Sequence, residues 1–284
     1  MGVTSGTKAS RLLILSTGAG SVTPENEAKL RALFADHLII PFDPKQDFET
    51  LITSRARVVI AGGDGSVGFV IRKLADSKHP VGIVSLGTFN NFATALGLPT
   101  DLDKQIHVVK KGRPRPITLG RVNGTVFVEA CAIGLFGETI ALGQDMKDFE
   151  YGRLADGLAN VLTAKPFNYE LEGDLKGDGT AMSLVFTNTA SFGAGLPVGD
   201  STPREPNLQF SANTGRTRTD IAGRAIASAL LMKHREEGES ELFRFRKVEV
   251  RTTPRVRVYA DTVLVGTTPA TVTAEVSAVK VILP

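Results

Sequence analysis

The feature that most constrains the fold is a pair of strand, turn and helix units in direct succession between residues 58 and 99. In the first unit, the apolar run Val58–Ala61 leads into the turn Gly62-Gly63-Asp64-Gly65-Ser66. In the second, the run Val81–Val84 leads into Ser85-Leu86-Gly87-Thr88-Phe89-Asn90-Asn91. Strands that alternate with helices predict an α/β fold with a doubly wound parallel sheet.

A third glycine turn, at residues 16–21, follows an earlier apolar run at Leu12–Leu15. Ligands of parallel sheets lie beyond the carboxyl ends of the strands, so the three turns are expected to gather into one site. Small residues let the backbone approach phosphate oxygens, and amides at the start of the next helix point at negative charge. The pattern therefore predicts a nucleotide site, with an ordinary tight turn at residues 62–66 as the alternative.

Asp64 is the unusual member of the first turn. A carboxylate among phosphate-binding amides is repelled by the ligand unless it holds a metal ion or takes a proton from the acceptor. Asp64 is therefore the first candidate for a catalytic residue.

Composition and length indicate a folded protein of one large or two ordinary domains, because 42% of the 284 residues are hydrophobic. The formal net charge of +3 is mild and does not call for nucleic acid as a partner.

The single cysteine, Cys131, excludes an internal disulfide and is predicted to be a buried strand thiol. The chain lacks a secretion signal and an apolar run of about 18 residues, so we expect a cytoplasmic protein.

The pattern changes after residue 114, where short apolar runs separated by turn residues predict a second, mostly antiparallel β-rich domain. We expect an α/β domain at residues 1–114 and a β-rich domain at residues 115–269, with residues 270–284 returning to the first. The predicted helices are Pro24–Phe34, Phe48–Ser54, Val67–Leu74, Asn91–Leu96, Tyr151–Thr163 and Asp220–Lys233. The strands predicted outside the two opening units are Leu12–Leu15, Leu38–Ile40, Ile117–Val122, Val126–Ile133, Ala181–Thr187, Leu242–Val250, Val256–Tyr259, Val263–Val265, Ala270–Thr273 and Val279–Leu283.

With these motifs the chain resembles the bacterial diacylglycerol kinase-like lipid kinases, which are relatives of sphingosine kinases and, more distantly, of NAD kinases. The resemblance covers nearly the whole chain, and the second glycine motif favours the lipid-kinase branch. The residues that carry it are Gly62-Gly63-Asp64-Gly65-Ser66, Leu86-Gly87-Thr88-x-Asn90-x-Phe92-Ala93, Phe127–Gly134, Asn188–Gly195 and Asp261–Pro269.

The resemblance implies a kinase with ATP and Mg²⁺ that phosphorylates the hydroxyl of a diacylglycerol-like membrane lipid, as in phospholipid biosynthesis. It implies that Asp64 acts at the acceptor, as base, or at the metal. It also implies a protein peripheral to the inner face of the membrane, and it leaves a homodimer open. The residues that it assigns to the nucleotide are Thr17, Gly62, Gly63, Gly65, Ser66, Gly87, Thr88 and Asn90.

Several positions depart from the family pattern. Ser16-Thr17 stands where the family has Asn-Pro, and Asn91 where many relatives have Asp. The late Asp-Gly-Glu motif reads Asp261-Thr262-Val263, so its second carboxylate is missing. Asp261 is a catalytic candidate, with a hairpin end as the alternative.

Glu138 is a candidate to replace the missing carboxylate as an acid that faces the acceptor. The alternative is that Glu138 caps the start of a helix. Glu129 is a weaker candidate, and its alternative is a side chain that points to solvent. The departures keep a second hypothesis open, a catalytically degenerate nucleotide- or lipid-binding regulatory protein. NAD kinase is a third and less favoured hypothesis.

The densest basic region lies near residues 216–247 and is either a membrane-facing surface or an ordinary solvated face. Phe243 and Phe245 alternate with arginines there, which predicts a half-buried strand. The basic residues are Arg216, Arg218, Arg224, Lys233, His234, Arg235, Arg244, Arg246 and Lys247.

Overall fold

The computed structural model describes residues 8–18, 20, 22–138, 165–193, 195–213 and 242–284. The chain divides into two compact units. Unit 1 comprises Met1–Ile117 and Ser277–Pro284, and unit 2 comprises Thr118–Val276.

The elements below are numbered along the described part of the chain. The helices are α1 (Pro24–Leu33), α2 (Asp64–Lys73), α3 (Asn91–Ala95) and α4 (Leu102–Lys111), with a 3-10 helix at Phe48–Leu51. The strands are β1 (Ala9–Leu15), β2 (Leu38–Pro41), β3 (Ile52–Gly62), β4 (Pro80–Ser85), β5 (Arg113–Val122), β6 (Thr125–Phe127), β7 (Ala130–Gly134), β8 (Phe167–Gly173), β9 (Gly177–Ala181), β10 (Ser183–Thr187), β11 (Ser191–Phe192), β12 (Leu196–Pro197), β13 (Leu208–Asn213), β14 (Phe243–Phe245), β15 (Lys247–Thr253), β16 (Arg257–Ala260), β17 (Val263–Thr267) and β18 (Ala270–Leu283).

Unit 1 is built on a parallel sheet with the strand order β2-β1-β3-β4-β18. Leu12–Leu15 and Val58–Gly62 are buried without alternation, as expected for parallel strands that are covered on both faces. On one face, α1 and α4 pack against the sheet in a core that includes Leu30, Phe34 and Val109. The parallel, doubly wound sheet predicted from the two opening units is confirmed.

Capping residues stabilise the amino-terminal ends of α1 and α4, the two helices of this face. Thr23 caps α1 by accepting the Asn26 N–H at 3.1 Å, and Pro24 occupies the first turn, where its missing N–H costs nothing. Asp101 caps α4 by accepting the Lys104 N–H at 2.9 Å. Helix α4 was not predicted from the sequence, although an Asp before a run of helix-forming residues is a typical helix start.

Unit 2 is mostly antiparallel, which confirms the β-rich second part of the chain. Within the described residues, one sheet has the order β14-β13-β10-β7-β16-β17. A second antiparallel set joins residues 270–273 of β18 to β15, β8 and β9. Both contribute to one hydrophobic core, which includes Cys131, Phe186 and Val248.

The helix predicted at Phe48–Ser54 is wrong, because only Phe48–Leu51 form a 3-10 turn and β3 begins at Ile52. Ile52 pairs with Ala9 of β1, so sheet pairing takes these residues from the helix. The two terminal strands predicted at residues 270–273 and 279–283 form one continuous strand, β18. The helices predicted at Tyr151–Thr163 and Asp220–Lys233 lie outside the described residues.

Carboxylates break two runs that were predicted to be single strands. The run Val126–Ile133 is interrupted between β6 and β7, where backbone N–H groups turn to the Asp261 carboxylate. The run Leu242–Val250 is interrupted at Arg246, where the N–H groups of Arg246 and Lys247 donate to Asp174 Oδ2 at 2.8 and 2.9 Å. An apolar run does not reveal such breaks, because the acceptor comes from a distant part of the chain.

Candidate functional site in unit 1

The register of the parallel sheet places the three glycine turns side by side at one edge. Leu15 of β1 is level with Ala61 of β3, and Gly62 is level with Ser85 of β4. The Ser16 N–H donates to Ala61 O and the Leu86 N–H donates to Gly62 O, each at 2.8 Å. The turn at residues 16–21 thus lies beside the turn at residues 62–66, which lies beside the turn at residues 85–91.

Two glycines in these turns are required by packing alone. A Cβ on Gly62 would lie 2.2 Å from Ser66 Oγ and 2.8 Å from Ser16 Cβ. A Cβ on Gly87 would lie 2.8 Å from Gly63 Cα, which belongs to the neighbouring turn. Since real Cβ atoms do not approach so closely, glycine at 62 and 87 lets the turns touch.

Gly65 is different, because a Cβ there would meet nothing within 4 Å. Gly65 is exposed and is the second residue of α2, where other residues favour a helix more strongly. Gly18, in the turn at residues 16–21, also has open space around its Cβ position. These glycines leave room over backbone amides, as a phosphate group would require. Thr17 and Thr88 are exposed on the same turns, and a Cβ on Gly20 would lie 3.0 Å from Thr88 Oγ1.

Asp64 is the first residue of α2, and Gly63 is the N-cap. The motif thus starts a helix, as the strand-turn-helix pattern predicts, and phosphate binding at this turn stays a prediction. Asp64 Oδ2 accepts the N–H of Asn90, which is the N-cap of α3, at 2.8 Å. A carboxylate in the first turn of a helix also interacts favourably with the helix dipole. The two turns are joined through this carboxylate.

Asn90 and Ser66 use side-chain atoms inside the turns. Asn90 has the left-handed φ of 53°, which Asn tolerates better than most residues. Its Oδ1 accepts the Gly87 N–H at 2.9 Å, and its Nδ2 donates to Gly87 O at 2.8 Å. Ser66 Oγ donates to Gly63 O at 3.0 Å. These two side chains shape the turns from within.

Carboxylates of unit 2

Asp261 lies in the turn between β16 and β17, with a left-handed φ of 51°, and is 8% exposed. Its carboxylate accepts the N–H groups of Val128, Glu129 and Ala130 at 2.9–3.2 Å. Asp261 therefore lies at a hairpin end, as the alternative predicts, and its carboxylate also binds the backbone of residues 128–130. A catalytic role for Asp261 stays a prediction. Nearby, Asn188 Nδ2 donates to Val128 O at 2.9 Å.

Glu138 pairs with Arg257, whose Nη1 lies 3.3 Å from both carboxylate oxygens. The charge of Glu138 raises the pKa of Arg257. Burial raises the pKa of Tyr259, and the neighbouring Glu138 charge raises it further. A Cβ on Gly137 would lie 2.4 Å from Tyr259 Cδ2, so the Tyr259 ring lies against the backbone that carries Glu138.

Sequence reasoning did not single out Arg257 and Tyr259. Arg257 and Glu138 are 119 positions apart, and nothing local to either residue announces the pair. Glu129 is buried, with 8% of its surface exposed, and its Oε2 accepts the Gly193 N–H at 3.1 Å. The alternative in which Glu129 points to solvent is wrong.

Cys131 is buried in β7, as predicted, and burial raises the pKa of its thiol. In β14, Phe245 is buried, whereas Phe243 is 44% exposed at the start of the strand. Of the basic region, residues 216–235 lie outside the described residues. Arg244 pairs with Glu205 and Asp200.

Among the described residues, no group of three or more His, Cys, Asp or Glu side chains is arranged to hold a metal ion. In the same part of the chain, no helix is both long enough and apolar enough to span a bilayer.

Family relationship

Glycine turns at the carboxyl ends of a parallel sheet are a common place for phosphate groups in α/β proteins. Residues 19–122 match the family model of the diacylglycerol kinase catalytic domain. Over these residues the chain is similar to the catalytic domain of diacylglycerol kinases, and the resemblance inferred from its motifs is confirmed.

Similar proteins agree with this family. The chain is 35% identical over 144 residues to a diacylglycerol kinase of Bacillus subtilis, covering 48% of this chain and 47% of that one. It is 29% identical over 242 residues to a diacylglycerol kinase of Mycobacterium tuberculosis, covering 80% of this chain and 76% of that one. The first curated relatives are thus matched over about half of their length.

A crystal structure of a diacylglycerol kinase from Bacillus anthracis has the same fold. Its TM-score is 0.70 at 19% identity, covering 98% of both chains. At this identity the likeness concerns the fold alone.

Proposed function

We propose that this protein is an ATP-dependent lipid kinase that transfers the γ-phosphoryl group to the hydroxyl of a diacylglycerol-like lipid. One observation carries the proposal: Asp64 begins α2 beside the exposed Gly65, and the backbone N–H of Asn90, in the turn at residues 85–91, holds its carboxylate. An anion-binding helix start and a fixed carboxylate thus occur in one place. Phosphoryl transfer needs little more than positioning and charge stabilisation, so this arrangement suits it.

In this proposal the exposed residues of the turns contact the nucleotide. The amides at Gly65 and Gly18 bind phosphate oxygens, and Thr17 and Thr88 donate hydroxyl hydrogen bonds. Gly62, Gly63 and Gly87 allow the turns to pack, while Ser66 and Asn90 hold their shape. We thus assign contact to the open residues of the predicted set and positioning to the packed ones.

The Asp64 carboxylate takes the proton of the acceptor hydroxyl as the new ester bond forms. The Asn90 N–H fixes one carboxylate oxygen, which orients the side chain for this transfer. ATP supplies the γ-phosphoryl group when bound, and ADP leaves as the bond between its terminal oxygen and the γ-phosphorus breaks. Mg²⁺ is proposed as the counter-ion of the phosphates, since it is commonly held through phosphates, water and one or two carboxylates.

For Asp261 we propose positioning of the backbone at residues 128–130, because its carboxylate accepts three amides there. For Glu138 we propose a place at the acceptor, with Arg257 and Tyr259 setting its orientation. We also propose a diacylglycerol-like acceptor, work at the inner face of a membrane and a part in phospholipid biosynthesis, because similar proteins are named diacylglycerol kinases.

The test is the transfer of label from γ-³²P-ATP to lipid vesicles that contain diacylglycerol, with Mg²⁺, comparing the wild type with Asp64→Asn. Asparagine keeps an acceptor for the Asn90 N–H and removes the base, so we expect transfer to fall about 10²- to 10⁴-fold with the fold intact. Asp103→Asn, which removes an exposed carboxylate of α4, is the matched control and should retain full transfer. Undiminished transfer by Asp64→Asn would exclude Asp64 as the base.

The regulatory alternative is favoured by one observation, the exposed Val263 at the position of the missing family carboxylate. If ATP binds while neither protein transfers label to any lipid of a total extract, this second function is the correct one. Transfer to NAD in place of lipid would instead identify an NAD kinase.

A further inference from the structure

A pocket of about 390 Å³ lies in unit 1 away from the glycine turns, near the amino-terminal halves of β1 and β3. This volume is within the range of small-molecule sites. The glycine turns follow the carboxyl ends of the same strands, so the two sites occupy opposite edges of the sheet. The pocket is lined by Arg11, Leu33, Phe34, Asp36, His37, Arg57, Val109 and Lys110.

Two arginines lie next to each other in this pocket. Arg11 of β1 and Arg57 of β3 are level in the register of the parallel sheet. Like charges on neighbouring strands disfavour the folded state unless something neutralises them. Burial, together with the charge of Arg11, lowers the pKa of Arg57.

The protein provides hydrogen-bond acceptors for only part of the Arg57 guanidinium group. Its Nη2 donates to Val109 O at the carboxyl end of α4, whereas its Nε is buried without a hydrogen-bond partner among the described residues. A buried donor without an acceptor costs stability, so the protein itself only partly stabilises the Arg57 guanidinium.

The remaining charges leave the pocket strongly positive. Asp36 is already bonded to Arg11 and to His37 Nδ1. Lys110 Nζ lies over the Phe34 ring, 5.4 Å from its centroid. Burial lowers the pKa of His37, so its imidazole is neutral near pH 7. Three cations against one carboxylate then leave two positive charges in excess.

We propose that this pocket binds the phosphate group of a small soluble organic phosphate, as a second site separate from the glycine turns. A phosphate dianion matches the excess of two charges, and its several oxygens can accept hydrogen bonds from Arg57, Arg11 and Lys110, which line the pocket. Leu33, which is 38% exposed, offers an apolar wall for the organic part. The site does not depend on the proposed kinase activity.

The experiment follows the imidazole signals of the chain's 4 histidines by NMR during titration with inorganic phosphate and with glycerol 3-phosphate. His37 lines the pocket, so its signal is a local reporter. We expect a saturable shift of the His37 signal at constant pH, with tighter binding of glycerol 3-phosphate than of inorganic phosphate.

Lys110→Gln removes an exposed cation of the pocket and should weaken binding about tenfold, since a charge-assisted hydrogen bond is lost. Lys111→Gln, one residue further along α4 and outside the lining, should change it less than about twofold. Arg57→Met should abolish the shift, and its thermal unfolding curve shows whether the variant is folded.

Three results would overturn the proposal. The His37 signal could stay unmoved up to millimolar probe, or the two lysine variants could weaken binding equally. A third arm uses vesicles of anionic phospholipid: Lys110-dependent binding to them, with no response to either soluble phosphate, would assign the pocket to lipid headgroups instead.

Discussion

The glycines of the turns serve two different ends at the scale of single residues. Gly62 and Gly87 are glycine because neighbouring atoms occupy the space of a side chain. At Gly65 and Gly18 the protein itself leaves that space open. The sequence shows all of them as one kind of residue, and only the packing separates turn closure from an open approach to the amides.

This difference predicts opposite effects for two alanine substitutions. Gly65→Ala should unfold at the same or higher urea concentration, because Ala favours a helix by up to about 1 kcal/mol, yet it should weaken ATP binding at least about tenfold. Gly87→Ala should lower the free energy of unfolding by about 1–3 kcal/mol, since its Cβ meets the backbone of Gly63. Urea unfolding and equilibrium ATP binding measure both. Normal ATP affinity in Gly65→Ala would show that no phosphate group of ATP contacts this amide.

Asp261 is predicted to be more important for folding than an exposed acid. Asp261→Ala leaves three backbone N–H groups without their acceptor in a buried place, so unfolding should become easier by roughly 2–4 kcal/mol. Asp261→Asn keeps one acceptor oxygen and the left-handed backbone, and should cost less. Urea unfolding of both variants shows which of them loses more free energy of unfolding. Asp178→Ala on the exposed side of β9 is the control, with an expected change within about 0.5 kcal/mol. A loss in Asp261→Ala no larger than in this control would contradict the assignment.

At the scale of elements, strands in unit 2 end where carboxylates capture backbone amides. Asp261 interrupts the run between β6 and β7, and Asp174 separates β14 from β15. Apolar periodicity locates the buried segments but not these ends, because the periodicity carries no information about distant acceptors. In unit 1 the turns and caps are local, so β1, β4 and α1 were predicted within a few residues, whereas β3 begins at Ile52, well before the predicted run.

The strand β17 allows a test of the missing carboxylate. Val263 is 51% exposed at the start of this edge strand, so Val263→Glu should change stability by less than about 0.5 kcal/mol. If the absent family carboxylate limits catalysis, lipid phosphorylation should rise severalfold in this variant. The label-transfer assay measures the rate, and Val263→Gln is the control for size without charge. Equal rates in the Glu and Gln variants would show that a charge at 263 is without effect.

At the scale of the whole molecule, Cys131 makes the opening of unit 2 observable. It is the only cysteine of the chain and is fully buried in β7, between β10 and β16. Burial raises the pKa of the thiol, so the reactive thiolate is suppressed in the folded state.

We therefore expect a thiol reagent to label the native protein at least about 10³-fold more slowly than the chain in denaturant, since labelling requires unfolding. The rate is followed by absorbance of the released chromophore. Ser54→Cys in a Cys131→Ala background places an exposed thiol in unit 1 and should react quickly. Fast labelling of native Cys131 would mean that unit 2 opens far more readily than its core indicates.

The sequence alone determined the parallel sheet, the three glycine turns, the antiparallel second part and the resemblance to diacylglycerol kinases. These depend on apolar periodicity and on small residues at turns, which are local properties of the chain. Only the tertiary structure decided what each carboxylate does: Asp64 meets Asn90, Asp261 meets the amides of residues 128–130, and Glu138 meets Arg257. It also placed Arg11 beside Arg57 across two strands. These partners lie tens to more than a hundred positions apart, and a hydrogen bond or ion pair depends on distance and direction in space, which composition and spacing do not encode.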